Sequence, residues 1–298
     1  MTLRVGTRAS ALAQTQAGQV ADALGGELVL IETEGDRTTG SLVSIGGTGV
    51  FATALRQALL RDQVDVVVHS YKDLPTAPAS GLTVAAVPPR ADPRDALCAR
   101  NGDTVQSLPV GARVGTGSPR RRAQLAARRP DLQLVDIRGN IDTRLQRLQT
   151  EDPDRALDAI VLAVAGLERL GRTDQITERL PLDAWPTAPA QGALAVETRT
   201  GNEHLADRLD HSETRRAVTA ERAVLARLEA GCSAPVGAHA FVSDGLLFLT
   251  ATVYALDGGQ QLTASHAHEL DHDAAELVAA RVSDDLLAGG ATDLMEAR

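Results

Sequence analysis

The chain has 298 residues, a net charge of −9 and 43% apolar residues, so it can bury a large core, and its length favours two or three domains. Its acidity, together with only three Phe, two Tyr and one Trp, excludes a general nucleic-acid-binding module, which needs a basic surface or stacking rings. The sequence contains no run of 18 apolar residues and no signal-peptide pattern, and we expect a cytoplasmic protein with no membrane contact.

The first 210 residues alternate short apolar runs with helical spacing. The apolar runs predict strands, and they read LRVGT, ELVLIET, DVVVHS, GLTVAAV, ARVGT, LQLVDI and DAIVLA. Apolar residues recurring every three or four positions predict helices over 11–24, 51–61, 120–129 and 141–149. This alternation is typical of α/β architecture. The glycine-rich segment 34–49 predicts a long mobile loop that is suited to act as a lid.

The pattern changes after Asp210. A predicted helix over 213–229 is followed by three strand-like runs, GAHAFVS, LLFLTATVYAL and QLTASHAHEL, and by a final helix over 273–287. Consecutive strands without intervening helices are typical of an antiparallel sheet. The segment therefore predicts a separate α+β domain.

Arginine occurs where predicted strands end and predicted helices begin. Of the 30 basic residues, Lys72 is the single lysine. Guanidinium groups bind carboxylates or phosphates bidentately, and helix N-termini attract anions, so these positions predict one site for several anions. A solvated helix surface is the alternative interpretation. The arginines concerned are Arg8, Arg120, Arg121, Arg122, Arg138 and Arg144.

The stretch VVVHSYKDLPT places Lys72 and Asp73 directly after a buried strand. A carboxylate beside an ammonium group and near guanidinium groups stays ionised at neutral pH, which suits it to stabilise a cation or to position a proton donor. A surface ion pair of little energetic value is the alternative. Because arginine cannot replace a compact ammonium where space is limited, the retained lysine favours the functional interpretation.

The two cysteines are too few for a disulfide framework, and neither lies in a zinc-ligand pattern, so we predict no metal centre. Cys98, in RDALCAR, is expected to pack in the core as a small hydrophobic residue. Cys232, in EAGCSAPVGAHA, follows a helical pattern on a tight turn of small residues. That position raises the question of a chemical role for its thiol.

Seven motifs occur in order between residues 4 and 240: GTRASALAQTQ, HSYKDLPT, GTGSPRRRAQL, DIRGNIDTRL, DAIVLAVAGLERLG, APAQGALAVE and ERAVLARLEAGCSAPVGA. Together they resemble the hydroxymethylbilane synthase family, also called porphobilinogen deaminase. The resemblance implies a monomer with two α/β domains like those of periplasmic binding proteins and a smaller C-terminal α+β domain that bears the cysteine. The boundaries that we predict are 1–90 with 193–210, 91–187, and 212–298.

The resemblance also implies a reaction. Four porphobilinogen molecules would be condensed head to tail with release of ammonia, and the linear tetrapyrrole hydroxymethylbilane would be hydrolysed off. Cys232 would carry a dipyrromethane cofactor through a thioether bond, because a soft sulfur nucleophile traps an electrophilic methylene carbon. Asp73, assisted by Lys72 and Arg8, would help to protonate the departing amine and would stabilise positive charge on the pyrrole nitrogens.

The carboxylates of the pyrroles would be bound by basic and polar side chains. The resemblance assigns to the cofactor Cys232, Ser118, Arg120 and Arg121, with Lys72 and Asp73. It assigns to the substrate Arg8, Ser10, Arg138, Arg144, Arg169 and Gln191.

Some positions depart from the family pattern. Thr53 and Ala54 stand where many members have a Lys-Glu pair, so that a lysine role there is absent or is taken by Arg56. The other departures, which put loop geometry in doubt, are Thr187, Ala190 and Ala230.

Two rival functions use the same features differently. A non-catalytic binding protein for a small anion would share the two-domain fold, but it would need neither Cys232 nor Asp73. A cysteine hydrolase would need a histidine beside Cys232 and a group to orient it. His239 lies seven residues further on in a predicted strand, and no such orienting residue is evident.

Overall fold

The structure is a computed structural model, and it describes residues 2–31, 49–231 and 234–296. Cys232 and the predicted lid over 34–49, apart from Gly49, lie outside the described residues.

The strands and helices of these ranges follow in chain order. The strands are β1 (Leu3–Thr7), β2 (Gly26–Leu30), β3 (Val66–Ser70), β4 (Leu82–Ala86), β5 (Asp95–Ala99), β6 (Arg113–Gly115), β7 (Gln133–Val135), β8 (Ala159–Ala163), β9 (Glu178–Arg179), β10 (Leu194–Arg199), β11 (Val236–Ser243), β12 (Leu246–Tyr254) and β13 (Gln261–Glu269). The α-helices are α1 (Ala11–Leu24), α2 (Gly49–Leu60), α3 (Pro119–Arg128), α4 (Ile141–Leu145), α5 (Val164–Arg169), α6 (Ser212–Arg227), α7 (Ala274–Ala288) and α8 (Ala291–Glu296). Short 3-10 helices cover Tyr71–Asp73, Gln146–Leu148, Thr173–Gln175, Glu203–Leu205 and Asp207–Leu209.

Two five-stranded mixed sheets form the α/β part of the molecule. The first has the strand order β2-β1-β3-β10-β4, with β10 antiparallel to both of its neighbours. The second has the order β7-β6-β8-β5-β9, with β5 antiparallel to both of its neighbours. In each sheet the remaining pairs are parallel. The chain therefore crosses between the sheets twice, once between β4 and β5 and once between β9 and β10.

The two crossover segments touch each other. The φ of Gly192 is +87°, and a Cβ there would lie 2.6 Å from the carbonyl oxygen of Ala91. The Ala91 amide also donates to the Gly192 carbonyl oxygen at 3.4 Å. Only glycine fits this combination of left-handed backbone and close approach.

The C-terminal domain is a three-stranded antiparallel sheet, ordered β11-β12-β13. Apolar residues of α6 and α7 pack with alternate residues of the strands into one core, which includes Val224, Val253 and Val278, each fully buried. Alternation along β12 places Leu247, Leu249 and Val253 on this covered face.

These observations confirm the predicted fold class of two α/β domains and a smaller α+β domain. The predicted helix over 141–149 is shorter than expected, because the α-helix ends at Leu145 and continues as the 3-10 helix Gln146–Leu148. The strands β5, β9 and β10 were not predicted, and neither were the short helices α5 and α8. In the part of the chain that the structure describes, no helix is both long and apolar enough to cross a bilayer.

Candidate active site

Small polar residues begin the helices that follow the strand ends. The Ser10 side chain caps α1 by accepting from the Ala13 amide at 3.4 Å. The Ser118 side chain caps α3 by accepting from the Arg121 amide at 3.5 Å, and Pro119 follows at the first helical position. Both serines thus have a structural use as N-caps in addition to the binding roles predicted for them.

The turn after β3 carries the Lys-Asp motif. Lys72 lies in the 3-10 helix Tyr71–Asp73, and its Nζ donates to Gln191 Oε1 at 3.1 Å. Burial is the main cause that lowers the pKa of Lys72 to about 8, and repulsion from Arg121 and Arg120 contributes while Asp73 and Asp95 oppose the shift. The single lysine therefore lies in a buried environment among charges of both signs.

A cavity of about 120 Å³ opens beside this turn. Arg8, Ser10 and Asp73 line it together, so the structure brings three of the predicted site residues to one place. Gln16 also lines it and accepts from the Ser70 hydroxyl at 3.0 Å.

A buried ion pair lies behind the cavity wall. Arg56 donates from Nη2 to Glu197 Oε1 at 2.8 Å and from Nε to Oε2 at 3.0 Å. His69, which lines the cavity, has its Nε2 3.3 Å from Glu197 Oε2. The Arg56 guanidinium is therefore paired with Glu197 in the interior.

The Asp95 carboxylate, at the start of β5, accepts hydrogen bonds from four side chains. Arg121 Nη2 and Gln191 Nε2 donate to Oδ1 at 2.6 and 2.8 Å. Arg120 Nη2 and Trp185 Nε1 donate to Oδ2 at 2.8 and 2.9 Å. Burial alone would raise the pKa of Asp95, but the two guanidinium groups outweigh it and hold the pKa well below its usual range.

Arg120 and Arg121 differ in their remaining contacts. Arg120 is 2% exposed, and its Nη1 donates to Gln124 Oε1 at 2.7 Å and to the Pro186 carbonyl at 3.0 Å. Arg121 donates from Nη1 to the Val161 carbonyl at 2.9 Å. Both arginines are thus held in the interior, and both lie close enough to Lys72 to lower the pKa of that ammonium, Arg121 more than Arg120.

Three further predicted arginines belong to the second sheet, and one of them, Arg122, donates from Nη1 to the Leu134 carbonyl at 3.1 Å. Arg144 is half-buried, and its Nε donates to the Gly139 carbonyl at 2.8 Å. Burial is the main cause that lowers the pKa of Arg144 to about 10, and repulsion from Arg121 and Arg138 contributes to the shift. Arg138 itself is exposed, with its Nε 3.5 Å from Asp136 Oδ2.

Arg169 lies at the end of α5 and reaches the second crossover. Its Nη2 donates to the Gly192 carbonyl at 2.8 Å, and burial lowers its pKa. Gln191, the neighbour of Gly192, bonds to both Lys72 and Asp95. Gln191 therefore links Lys72 of the first sheet to Asp95 of the second sheet, beside the residue that Arg169 contacts.

Cys98 is part of the core, as predicted. It lies on β5, is fully buried, and packs with Ile160 and Leu167. Burial raises the pKa of its thiol to about 12, which keeps it protonated and unreactive at neutral pH.

Two positions that depart from the family pattern, Ala190 and Thr187, form hydrogen bonds with the C-terminal domain. Ala190 has a φ of +62°, a left-handed conformation that glycine adopts at lower cost, and its amide donates to Glu221 Oε2 at 2.6 Å. Thr187 is fully buried, and its carbonyl accepts from the Ala238 amide at 2.9 Å. Both positions lie in contact with the C-terminal domain.

The sequence motifs did not reveal Asp95, Trp185 or Glu221. Each is buried and makes its polar contacts with residues far away in the chain. A weak signal existed for Glu221, since it is an acidic residue between apolar positions of a predicted helix.

Comparison with protein families gives two matches that together span most of the chain. Residues 3–207 match the family described as porphobilinogen deaminase, dipyromethane cofactor binding domain. Residues 215–288 match porphobilinogen deaminase, C-terminal domain. The second match begins inside α6 and includes the three strands of the C-terminal sheet.

Curated relatives carry the same name. The porphobilinogen deaminase of Leifsonia xyli subsp. xyli is 59% identical over 98% of this chain and 94% of its own length. That of Mycobacterium bovis is 56% identical over 88% of this chain and 89% of its own length.

Solved structures give only distant matches. Protein PG110 from Staphylococcus aureus has a TM-score of 0.40 and 11% identity, covering 74% of this chain and 91% of that one. The substrate-binding protein AbpA from Streptococcus pneumoniae has a TM-score of 0.31 and 12% identity, covering 70% and 86%.

Proposed function

The chain belongs to the porphobilinogen deaminase family, and we propose that Asp73, Lys72 and Arg8 carry the chemistry of its site while Cys232 carries its dipyrromethane cofactor. The enzyme condenses four porphobilinogen molecules head to tail, with release of ammonia, into the linear tetrapyrrole hydroxymethylbilane. The family recognition made from the sequence motifs is thereby confirmed.

The observation that carries the assignment of the site is its excess of closely spaced positive charge. Burial is the main cause that lowers the pKa of Lys72 to about 8 and that of Arg144 to about 10, and repulsion from Arg121 contributes to both shifts. Such mutual repulsion is relieved when anions bind among the cations. Each pyrrole of the substrate brings an acetate and a propionate, which are the carboxylates that this site is suited to hold.

The residues present also fit the cofactor. Its carboxylates need several donors at one place, and within the described ranges the buried Nε atoms of Arg120 and Arg121 have no hydrogen-bond partner. We propose that Ser118, Arg120, Arg121, Lys72 and Asp73 hold the group. When bound, the dipyrromethane supplies the pyrrole α-carbon to which the first substrate unit is joined.

For substrate binding, we propose the residues at the strand ends and at the crossover. Ser10, Arg138, Arg144, Arg169 and Gln191, together with Arg8, would bind the acetate and propionate groups. Their support is that Arg8 and Ser10 share the cavity with Asp73, that Gln191 accepts from Lys72, and that Arg169 donates to Gly192, the neighbour of Gln191.

Asp73 is proposed as the central catalytic group. Its carboxylate lines the cavity beside Arg8 and adjoins Lys72 in the chain. A fixed negative charge there stabilises positive charge developing on a substrate pyrrole nitrogen, and it positions a proton for the departing amine. Lys72 and Arg8 orient the substrate carboxylates so that the reacting carbons face Asp73.

Cys232 is proposed as the attachment point because the other cysteine is unsuitable. The sequence contains two cysteines, and Cys98 is fully buried with a pKa raised to about 12. Only a thiolate attacks efficiently, and a buried, protonated thiol does not. We also propose a cytoplasmic monomer with the domain boundaries 1–90 with 193–210, 91–187, and 212–298.

Intact-mass spectrometry of the holoenzyme tests the attachment. Cys232→Ala should lack the mass of a dipyrromethane, whereas the matched variant Cys98→Ala should retain it. An adduct on Cys232→Ala would refute the assignment. A non-catalytic binding protein would show no adduct in the wild-type chain either, so the same spectra test this rival function.

The same spectra, recorded after brief exposure to porphobilinogen, test the other roles. Asp73→Asn should keep its fold and cofactor but add substrate units about a hundredfold more slowly, or worse. Arg144→Leu should begin elongation and then stall with one, two or three added units. A wild-type ladder in either variant would remove that residue from the site.

A further inference from the structure

Arg222, on the helix α6 of the C-terminal domain, forms hydrogen bonds to the turn that carries Lys72 and Asp73. Its Nη1 donates to the carbonyls of Tyr71 and Leu74 at 3.0 and 2.8 Å. Its Nη2 donates to the carbonyl of Pro75 at 2.7 Å. One guanidinium group thus holds three carbonyls of one turn.

The same side chain also packs on the turn. The guanidinium carbon of Arg222 lies 4.4 Å from the centre of the Tyr71 ring, which is the geometry of a cation–π contact. Tyr71 is itself buried and begins the 3-10 helix of the turn. The planar guanidinium can satisfy the carbonyls and the ring together, which a lysine ammonium cannot do.

Two of the carbonyls that Arg222 binds lie on either side of the two proposed catalytic residues. Tyr71 precedes Lys72, and Leu74 follows Asp73, while the Leu74 amide closes the turn by donating to the Tyr71 carbonyl at 3.2 Å. The Asp73 side chain is exposed, and it projects from a backbone whose two ends are fixed by Arg222. The direction of the Asp73 side chain into the cavity therefore depends on these hydrogen bonds from Arg222.

The hydrogen bonds from Arg222 also connect two domains. The turn belongs to the first sheet, whereas Arg222 lies on the last two turns of α6, which ends at Arg227, five residues before Cys232. The domain that bears the cysteine thus holds the catalytic turn directly.

We propose that Arg222, which lies on the domain that bears the cofactor, is a positioning residue that orients the Asp73 carboxylate towards the reacting pyrrole. The proposal rests on the proposed role of Asp73. Its contacts are with backbone carbonyls, so Arg222 acts through the turn and not as a further carboxylate receptor.

Arg215 provides a matched control on the same helix. It also crosses to the first sheet, and its Nη2 donates to the carbonyls of Val84 and Ala85 at 3.2 and 2.9 Å, on β4 and away from the catalytic turn. Arg222→Gln and Arg215→Gln therefore both remove hydrogen bonds from an arginine side chain to backbone carbonyls of the other domain. They differ in which segment of the first sheet is released.

The test measures steady-state kinetics, cofactor content by intact mass and thermal unfolding for both variants. Arg222→Gln should lower kcat about 10- to 100-fold with KM for porphobilinogen changed less than about threefold and the cofactor still bound. Arg215→Gln should be destabilised by a similar amount with kcat within about twofold of wild type. Equal losses of kcat in both variants would show a merely structural role and overturn the proposal. If Arg222→Gln does not fold, Arg222→Lys, which keeps the charge but not the planar fork, takes its place with the same criteria.

A double variant separates the failure of this proposal from the failure of the proposed function. If Arg222 acts through Asp73, adding Arg222→Gln to Asp73→Asn should slow the first substrate addition, followed by mass, by less than about twofold beyond Asp73→Asn alone. A further loss of tenfold or more would mean that Arg222 acts on something else. If Asp73→Asn alone keeps the wild-type rate, the catalytic role of Asp73 fails, whatever Arg222 does.

Discussion

At the scale of single residues, the chemistry depends on one ammonium among guanidinium groups. Lys72 touches Gln191 and lies near Arg121, and burial lowers its pKa to about 8, close to physiological pH. The pKa of Arg144 is lowered only to about 10, so that guanidinium keeps its charge well above physiological pH. Lys72 therefore loses its charge at a lower pH than Arg144 does.

This difference predicts an alkaline limb in the activity profile. Below its pKa the Lys72 ammonium is charged and binds carboxylate, and above that pKa the amine is neutral. The pKa is about 8 in the empty site, and the cofactor carboxylates raise it, so kcat/KM for porphobilinogen should fall about tenfold for each pH unit beyond a midpoint above 8. Lys72→Arg keeps a charged group at every accessible pH. Its activity should be lower overall, but the limb should disappear. An unchanged limb in Lys72→Arg would assign the titration to another group.

Sequence reasoning at this scale found the residues that stand in motifs and missed those that support them. Lys72 and Asp73 are adjacent, and the position of a polar pair after an apolar run is visible in the sequence. Asp95 lies 25 and 26 residues before the two arginines that it pairs with, on a strand that was not predicted. No local pattern indicates which arginine a distant aspartate will meet.

At the scale of elements, alternating apolar runs predicted most strands and longer helices, and the departures have physical causes. The predicted helix over 141–149 changes to 3-10 geometry after Leu145. The strand β5, with the sequence DALCA, begins with a charge that is stabilised only by partners elsewhere in the chain. Periodicity reports the burial of apolar faces, and it carries no information on such partners.

The end of α6 predicts a stabilising substitution. Glu229 follows the last helical residues with a φ of +51° and is exposed. Glycine adopts this left-handed conformation without the steric cost that other residues bear. Glu229→Gly should therefore raise the free energy of unfolding by about 0.5–1 kcal/mol, measured in urea.

Glu229→Ala is the control for the charge. Both substitutions remove a negative charge from the helix C-terminus, which is favourable by a few tenths of a kcal/mol in each, but only glycine relieves the backbone. An equal effect of both variants would contradict the backbone explanation. Because Glu229 lies three residues before Cys232, cofactor content should be measured in both.

At the scale of the whole molecule, one buried carboxylate joins the three parts of the fold. Glu221 of α6 is fully buried and accepts from Arg90 Nη1 and Nη2 at 2.7 and 2.9 Å. It also accepts from the amides of Ala190 and Ala240 at 2.6 and 2.8 Å. These partners lie on the first crossover, on the second crossover and on β11. The C-terminal domain is thus fixed to both crossovers through a single side chain.

The pKa of Glu221 indicates how much this junction contributes. Burial alone would raise it, but Arg90 and the other donors lower it to about 2 from an ordinary value near 4.5. A depressed carboxyl pKa stabilises the folded state above the unfolded pKa, and this stabilisation is lost as the pH falls from about 4.5 through about 2. The shift corresponds to about 3 kcal/mol at neutral pH.

We therefore predict that Glu221→Gln is strongly destabilising. The substitution keeps the size of the side chain but leaves the Arg90 guanidinium buried without a counter-charge, which should lower the free energy of unfolding by about 3–5 kcal/mol. The loss should be largest near pH 7 and should shrink towards pH 2, where the wild-type carboxyl is itself protonated. Glu213→Gln, on the exposed first turn of the same helix, should cost less than about 1 kcal/mol. Urea unfolding of both variants at several pH values measures the difference, and a loss independent of pH would show that the junction is held by packing and not by this ion pair.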